Sequence, residues 1–126
     1  MTHTDAPTIL LVDDEPDFLE AARVTLESAG YQVITAPDAH TGLEAARQAS
    51  VSLAVLDINL PDGDGYGLCR EMRTRSEGAD FPVLFLSVRR EMRDILWGIA
   101  AGARDFLTKP IGRQELLAAV DRALAA

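Results

Sequence analysis

The sequence predicts a single α/β domain in which a doubly wound parallel sheet carries helices on both faces. Three observations support this: the chain has 126 residues, its apolar residues form short unbroken runs, and amphipathic stretches separate those runs. Short runs that are apolar throughout, without alternation, are typical of strands buried on both faces. Strand and helix patterns that alternate along one chain of this length predict one domain and a parallel sheet.

Five apolar runs are predicted as strands, and a helical pattern follows each of them. The first helix has Pro16 in its first turn, where proline is tolerated, and Gly30 as its stop signal. The strands are predicted at Ile9–Val12, Gln32–Ala36, Leu53–Leu56, Val83–Leu86 and Phe106–Thr108. The apolar positions that mark the five helices are Phe18, Leu19, Ala22, Leu26 and Ala29; Leu43 and Ala46; Leu68 and Met72; Met92, Leu96, Ile99 and Ala103; and Leu116, Leu117, Val120 and Leu124.

Composition excludes several classes of protein. With 12 Lys+Arg against 20 Asp+Glu, the net charge of −8 argues against a nucleic-acid binder, which needs a cationic surplus. No apolar run approaches the roughly 20 residues of a membrane helix. Residues 1–7 lack a signal-peptide pattern, and we expect a disordered or extended N-terminus before a domain at 8–126. A single cysteine, Cys69, allows no internal disulfide and favours the cytoplasm.

Four of the predicted strands stop at a residue with a reactive or charged side chain. Asp13 and Asp14 follow the first strand, Asp57 the third, Ser87 the fourth and Lys109 the fifth. In an open parallel sheet the carboxyl ends of the strands share one edge, and ligands bind in the crevice there. We therefore expect three carboxylates, one hydroxyl and one ammonium to meet in a single crevice.

Three carboxylates in one crevice need compensation. Two unit charges ~4 Å apart repel by about 4 kcal/mol at an effective dielectric constant of 20. Lys109 supplies one positive charge, and the remaining excess suits a hard divalent cation with oxygen ligands, for which Mg²⁺ is the natural candidate. Mg²⁺ in such sites commonly meets a phosphate, and a carboxylate can itself accept a phosphoryl group.

The motifs at these strand ends resemble those of the receiver domains of two-component response regulators, the CheY-like family. The resemblance covers essentially residues 8–126. It rests on Asp13-Asp14, on Asp57, on the loop Pro61-Asp62-Gly63-Asp64-Gly65, on Ser87, and on the run from Ala103 to Pro110.

The resemblance implies a role for each site residue. Asp57 is implied to be the phospho-acceptor, taking a phosphoryl group from a phosphohistidine of a sensor kinase or a phosphotransfer protein. Asp14, Asp57 and the backbone carbonyl of Asn59 are implied to bind Mg²⁺, with Asp13 at the same metal partly through water. Lys109 is implied to pair with the phosphoryl group.

The resemblance also implies a fold and a switch. The implied fold is flavodoxin-like with strand order 2-1-3-4-5, and the Lys109–Pro110 bond is implied to be cis. Ser87 is implied to hydrogen-bond the phosphoryl group while Phe106 turns inward. The implied output is a changed surface on the fourth helix, fifth strand and fifth helix, with self-catalysed dephosphorylation and no turnover of an external substrate, so the chain is not expected to be an enzyme.

Trp97 and Ile95 lie off the apolar stripe of the predicted fourth helix, and together with Phe106 they suggest a partner or homodimer surface. Incidental exposure is the alternative.

Val88 follows Ser87 where the family usually has Ala or Gly, and we expect its branched side chain to slow phosphotransfer or hydrolysis.

Two other functions remain as alternatives. The first is a hydrolase with Asp57 as nucleophile, although Asp13-Asp14-Glu15-Pro16 departs from the Asp-x-Asp-x-Thr/Val pattern of haloacid dehalogenases. The second is a phosphorylation-independent interaction module, which the complete set of acidic and Lys positions disfavours. The sequence Asp57–Gly63 resembles a calcium-binding loop, but Pro61 stands where a ligand is needed.

Overall fold

A parallel five-stranded sheet forms the centre of the molecule. The computed structural model describes residues 6–75, 81–88 and 102–125. Within them the strands of this sheet lie in the order β2-β1-β3-β4-β5, and all four pairings are parallel. The predicted α/β class and strand order are therefore confirmed. The strands are β1 (Thr8–Val12), β2 (Gln32–Ala36), β3 (Leu53–Asp57), β4 (Val83–Ser87) and β5 (Asp105–Thr108).

Four helices connect or flank these strands in the described part of the chain. They are α1 (Pro16–Ser28), α2 (Ala39–Gln48), α3 (Gly65–Arg75) and the helix Arg113–Ala125, called the 113–125 helix below. The helix predicted around Met92, Leu96 and Ile99, with Ile95 and Trp97 on it, lies outside the described residues. Residues 1–5 of the predicted N-terminal segment lie outside them as well.

Two apolar cores form, one on each face of the sheet. Strand residues alternate between them, since successive side chains of a strand point to opposite faces. Val55 of β3 faces α1 and the 113–125 helix, where Leu26 and Val120 are fully buried. Leu56, the next residue, faces α2 and α3, where Cys69 and Met72 are buried. Every residue of β3 and β4 is buried, as their unbroken apolar runs predict.

Local signals set the helix boundaries. Gly30 ends α1 with a φ of +99°, a left-handed conformation that glycine adopts without steric cost. Asp38 begins α2, and its carboxylate accepts a hydrogen bond from the Thr41 N–H at 2.7 Å. At α1 the cap residue is Glu15, whose side chain makes no capping bond, and Pro16 follows in the first turn.

A short antiparallel hairpin after β3 is not predicted by the sequence patterns. It pairs Asn59–Leu60 with Gly63–Asp64. Strands of two residues are too short to show a hydrophobic period, so no pattern indicates them.

The Lys109–Pro110 peptide bond is cis, as the resemblance implies. Among the described helices none is both long and apolar enough to span a membrane.

Candidate functional site

The first two carboxylates of the site lie directly after the end of β1. The Asp13 N–H donates to the Ala36 carbonyl at 3.1 Å, so the backbone of Asp13 continues the pairing with β2. Its side chain is 1% exposed, and Oδ1 accepts a hydrogen bond from the Glu15 N–H at 2.9 Å. Asp14, one residue further, is exposed. One carboxylate is therefore fixed inside the crevice and the other borders solvent.

The end of β3 places Asp57 beside them. The Ile58 N–H donates to the Leu86 carbonyl at 2.9 Å, which continues the pairing with β4 past Asp57. The Asp57 residue is 5% exposed, and its Oδ1 accepts a hydrogen bond from the Asn59 N–H at 3.0 Å. Carboxylate oxygens of Asp13, Asp14 and Asp57 all lie within 4.8 Å of one another. The predicted convergence of these three residues is therefore present in the fold.

Gly65 lies against the backbone of Asp57. A Cβ atom placed on Gly65 would lie 2.5 Å from the Asp57 carbonyl oxygen, closer than any side chain tolerates. Gly65 does not have a left-handed backbone, since in the described residues only Gly30 and Gly102 have positive φ. At Gly65 the reason for glycine is the close approach of two backbone segments.

Lys109 completes the crevice from the end of β5. Its N–H donates to the Ser87 carbonyl at 2.7 Å, which continues the pairing of β5 with β4 to the edge of the site. Its Nζ lies 2.6 Å from Asp13 Oδ2, 2.7 Å from Glu15 Oε1 and 3.3 Å from Asp57 Oδ2. The Lys109 side chain is 9% exposed. A single ammonium thus contacts three carboxylates, which matches its three N–H donors.

The pKa values of the two central groups are both raised, for different reasons. Burial raises the pKa of Asp57 to about 6, and the negative charge of Asp13 adds to this, while the Asn59 N–H and Lys109 act against it. Burial alone would lower the pKa of Lys109. Hydrogen bonds to Asp13 and Glu15 outweigh it and hold that pKa above its usual range. Negative charge is therefore in excess around the one ammonium, and a further cation would be favoured.

The donor set fits a hard divalent cation. Asp13, Asp14 and Asp57 offer only carboxylate oxygens, the ligands that Mg²⁺ prefers. Asp14 is exposed and borders solvent, which suits an ion that retains several of its waters. Asn59, whose carbonyl is implied as a ligand, follows Asp57 by two residues and is exposed in the short hairpin.

Ser87 and Phe106 occupy the edge of β4 and the interior of β5. Ser87 is 3% exposed and pairs in register with Thr108. Phe106 pairs with Phe85, is 8% exposed and belongs to the core that faces α2 and α3. The ring of Phe106 is therefore on the inside in this conformation.

Two side chains that the sequence patterns do not single out line the crevice. Glu15 contacts Lys109, and the Phe18 ring centroid lies 4.8 Å from Lys109 Nζ, a cation–π arrangement. Both also line an open cavity next to the crevice, and Val88, 64% exposed, lies on the same cavity. Phe18 was predicted only as part of the apolar stripe of the first helix.

A doubly wound parallel sheet with carboxylates and one lysine at its carboxyl edge is the arrangement expected of a signalling receiver domain. Residues 9–121 match the family model of the response regulator receiver domain. The chain therefore belongs to the response regulator receiver domain family, as the resemblance of its motifs predicts.

Relatives with known names include transcriptional regulators and single-domain proteins. The DNA-binding dual master transcriptional regulator RpaA of Synechocystis sp. is 41% identical over 114 residues, covering 90% of this chain and 47% of RpaA. Protein PilH of Pseudomonas aeruginosa is 33% identical over 117 residues, 93% of this chain and 97% of PilH. The chain spans about half the length of the transcriptional regulators it matches.

Solved structures show the same fold. The chemotaxis protein CheY4 of Vibrio cholerae superposes with a TM-score of 0.90 at 30% sequence identity, covering 94% of this chain and 99% of CheY4. The match extends across nearly the whole of both chains, so the two proteins share the overall fold.

Proposed function

We propose that the chain is a phosphorylation-activated switch that accepts a phosphoryl group on Asp57 in an Mg²⁺-dependent reaction. The single observation that carries this proposal is the surrounding of Asp57. It is a buried carboxylate with Lys109 Nζ at 3.3 Å and carboxylate oxygens of Asp13 and Asp14 within 4.8 Å. A nucleophilic carboxylate, a cation partner and a set of metal ligands thus share one crevice at an accessible strand edge.

The chemistry assigned to Asp57 is an in-line exchange at phosphorus. A carboxylate oxygen of Asp57 forms the new P–O bond while the P–N bond of a phosphohistidine breaks. The imidazole nitrogen keeps the electron pair of that bond and takes a proton. Hydrolysis reverses the modification: water forms a new P–O bond, and the bond between phosphorus and the Asp57 oxygen breaks. Inorganic phosphate leaves and the carboxylate returns.

Each neighbouring residue has a proposed role. Asp14, Asp57 and the Asn59 carbonyl would hold Mg²⁺ directly. Asp13 would act at the metal partly through water, which agrees with its contacts to Lys109 and the Glu15 N–H. The metal would neutralise charge on the phosphoryl oxygens.

Lys109 would bind a phosphoryl oxygen, and the Ser87 hydroxyl would donate to another. We propose that this hydrogen bond draws Ser87 toward the phosphoryl group, and that the movement of Ser87 is coupled to the packing of Phe106. Phe106 lies on the neighbouring strand and on the same face of the sheet. The partner surface predicted at Ile95 and Trp97 stays a prediction, because both residues lie outside the described part.

The proposed donor is a sensor histidine kinase or a histidine phosphotransfer protein. We place the reaction in the cytoplasm, because the chain has a single cysteine, the buried Cys69, and cannot make the internal disulfides common in small secreted domains. The −8 net charge disfavours direct binding of the chain to nucleic acid.

The test is phosphorylation by a small-molecule donor. The protein is incubated with acetyl phosphate or phosphoramidate and Mg²⁺, and its intact mass is measured. We expect the gain of one phosphoryl group, no gain in Asp57→Asn, and no gain when EDTA replaces Mg²⁺. An unmodified wild type would reject the proposal in favour of the inert interaction module. Steady release of phosphate from many donor molecules, with the phosphorylated form never accumulating, would favour the hydrolase.

A further inference from the structure

Glu15 occupies a position that the proposed chemistry does not account for. Its Oε1 accepts a hydrogen bond from Lys109 Nζ at 2.7 Å, shorter than the 3.3 Å that separates Nζ from Asp57 Oδ2. The two residues are 94 positions apart in sequence, so this contact is made by the tertiary fold. The lysine that would bind the phosphoryl group is therefore already bound by another anion.

Lys109 Nζ donates hydrogen bonds to Glu15 and Asp57 and forms an ion pair with Asp13 Oδ2 at 2.6 Å, so carboxylate oxygens surround it. Asp13, Glu15 and Asp57 each lie within ion-pair distance of Nζ, and the Phe18 ring covers a further side at 4.8 Å. A phosphoryl oxygen can become a partner of Lys109 only if one of the three carboxylates gives up its contact. The carboxylate that loses its contact with Lys109 at the lowest cost in free energy is the one expected to leave.

Burial distinguishes the three carboxylates. The side chains of Asp13 and Asp57 are 1% and 7% exposed, whereas that of Glu15 is 64% exposed. A buried carboxylate that loses its cation is left uncompensated and costs several kcal/mol. An exposed one is hydrated at once, and exposed ion pairs are weak. Asp57 stays in place because it would carry the phosphoryl group, whose oxygens would then compete with Glu15 for Lys109.

We propose that Glu15 is a displaceable counter-ion that holds Lys109 in the unphosphorylated protein and yields it to the phosphoryl group. Glu15 is thus a positioning residue, since it acts through Lys109. By competing with phosphoryl oxygens it weakens the affinity of the crevice for them. By keeping Lys109 partly drawn away from Asp57, it also leaves Asp57 more available to a divalent cation. This inference rests on the proposed function.

Two affinities are expected to change in opposite directions when Glu15 is neutralised. In Glu15→Gln, beryllium fluoride, a phosphoryl analogue, should bind in saturating Mg²⁺ about two- to fivefold more tightly, the range of a weak exposed ion pair. Mg²⁺ alone should bind more weakly, because the released Lys109 settles between Asp13 and Asp57. Isothermal titration calorimetry measures both constants on the whole chain.

Asp17→Asn is the matched control. Asp17 is an exposed carboxylate in the first turn of the same helix, and no contact between its side chain and Lys109 is present. The substitution removes the same charge from nearly the same place, so a general electrostatic effect would appear in both variants. We expect Asp17→Asn to change either affinity by less than about twofold, as screened surface charges do.

A double-mutant cycle tests whether the effect passes through Lys109. In a Lys109→Met background, Glu15→Gln should alter Mg²⁺ affinity no more than Asp17→Asn does. Equal effects of Glu15→Gln and Asp17→Asn in the wild-type background would overturn the inference and leave the proposed function intact. A wild type that binds neither Mg²⁺ nor beryllium fluoride would overturn both.

Discussion

Lys109 is the single lysine of a chain with eleven arginines, and it lies where a compact charge is required. Its Nζ contacts three carboxylates at 2.6 to 3.3 Å and is nearly enclosed by them and by Phe18. An ammonium is a compact point charge with three donors, whereas a guanidinium is a broad planar fork. The enclosed space therefore requires a small, compact head group as well as a positive charge.

We therefore predict that Lys109→Arg impairs phosphoryl binding although the charge is kept. The wider head group cannot enter between Asp13 and Asp57 without displacing one of them. Beryllium fluoride affinity in saturating Mg²⁺ should fall about tenfold or more, a loss of roughly 1.4 kcal/mol. The control is Arg104→Lys, a change of cation away from the crevice. Unchanged affinity in Lys109→Arg would show that charge alone is sufficient.

Asp57 is expected to destabilise the metal-free protein. Burial and the nearby charge of Asp13 raise its pKa to about 6, so the ionised group is disfavoured in the folded state at neutral pH. Asp57→Asn should raise the free energy of unfolding by about 1–2 kcal/mol in EDTA, as a shift of this size implies after allowance for its partners. Urea unfolding measures it.

Mg²⁺ should reverse this difference, because it binds the folded wild type and stabilises it by mass action. We expect the unfolding midpoint of the wild type to rise with Mg²⁺ and that of Asp57→Asn to rise much less. A wild type more stable than Asp57→Asn in EDTA would contradict the inferred cost of burying the charged Asp57 carboxylate.

The residues of the site differ in how far the sequence predicts them. Asp13, Asp57 and Lys109 each follow an apolar run, and parallel strands bring such positions to one edge, so their convergence follows from the strand pattern. Glu15 has no such signal. After Asp13-Asp14 and before Pro16 it reads as part of a helix N-terminus, and its contact with Lys109 depends on a side-chain conformation that no local pattern encodes.

At the scale of elements, the loop after β3 is held by contacts that constrain its backbone. Gly65 lies against the Asp57 carbonyl, and Asp62 accepts hydrogen bonds from the Ala39 and His40 N–H groups at 2.8 and 3.0 Å. These bonds lower the pKa of Asp62 and connect the loop to the N-terminus of α2. The loop that follows Asp57 is thereby fixed to the start of α2.

Gly65→Ala should displace the backbone of Asp57. The added Cβ would lie 2.5 Å from the Asp57 carbonyl oxygen, so the chain must move. We expect a loss of about 1–3 kcal/mol in the free energy of unfolding, typical of overpacking, together with weaker Mg²⁺ binding. Chemical denaturation and calorimetry provide the two measurements.

Gly67→Ala is the matched control on the same helix. A Cβ there would meet Asp64 Oδ1 at 3.5 Å and Arg70 Nη2 at 3.9 Å, both ordinary contacts. The substitution should be neutral or stabilise α3 by up to about 0.5–1 kcal/mol, because alanine loses less backbone entropy than glycine. Equal stability of the two variants would mean that the approach at Gly65 has no consequence for folding.

At the scale of the whole molecule, alternation of strands and helices predicts a covered parallel sheet and does not predict which helix lies on which face. In the structure α1 and the 113–125 helix share one face, and α2 and α3 share the other. That assignment depends on the hand of each crossover and on the strand order, which are properties of the assembled chain. The family resemblance implies the strand order, whereas composition and periodicity do not.

The shared face of α1 and the 113–125 helix includes a contact between distant parts of the chain. The Tyr31 hydroxyl, directly after α1 and Gly30, donates a hydrogen bond to Asp121 of the 113–125 helix. Burial and this carboxylate raise the pKa of Tyr31 to about 12. The contact joins two parts of the chain that are 90 residues apart in sequence, and it involves no residue of the crevice.

We predict that the Tyr31 contact stabilises the fold in a pH-dependent way. The neutral phenol is favoured in the folded protein, so its contribution is fully present below pH 10 and is lost as pH rises from about 10 to about 12. Because the pair is largely exposed, we expect Tyr31→Phe to cost about 1 kcal/mol at pH 8. Urea unfolding of both proteins at pH 8 and pH 11.5 should show a difference in the free energy of unfolding at the lower pH that shrinks at the higher one.

A difference that stays constant with pH would assign the effect of Tyr31 to ring packing instead of its hydroxyl. Beryllium fluoride affinity should be the same in both proteins, since this contact supports the domain and takes no part in the crevice.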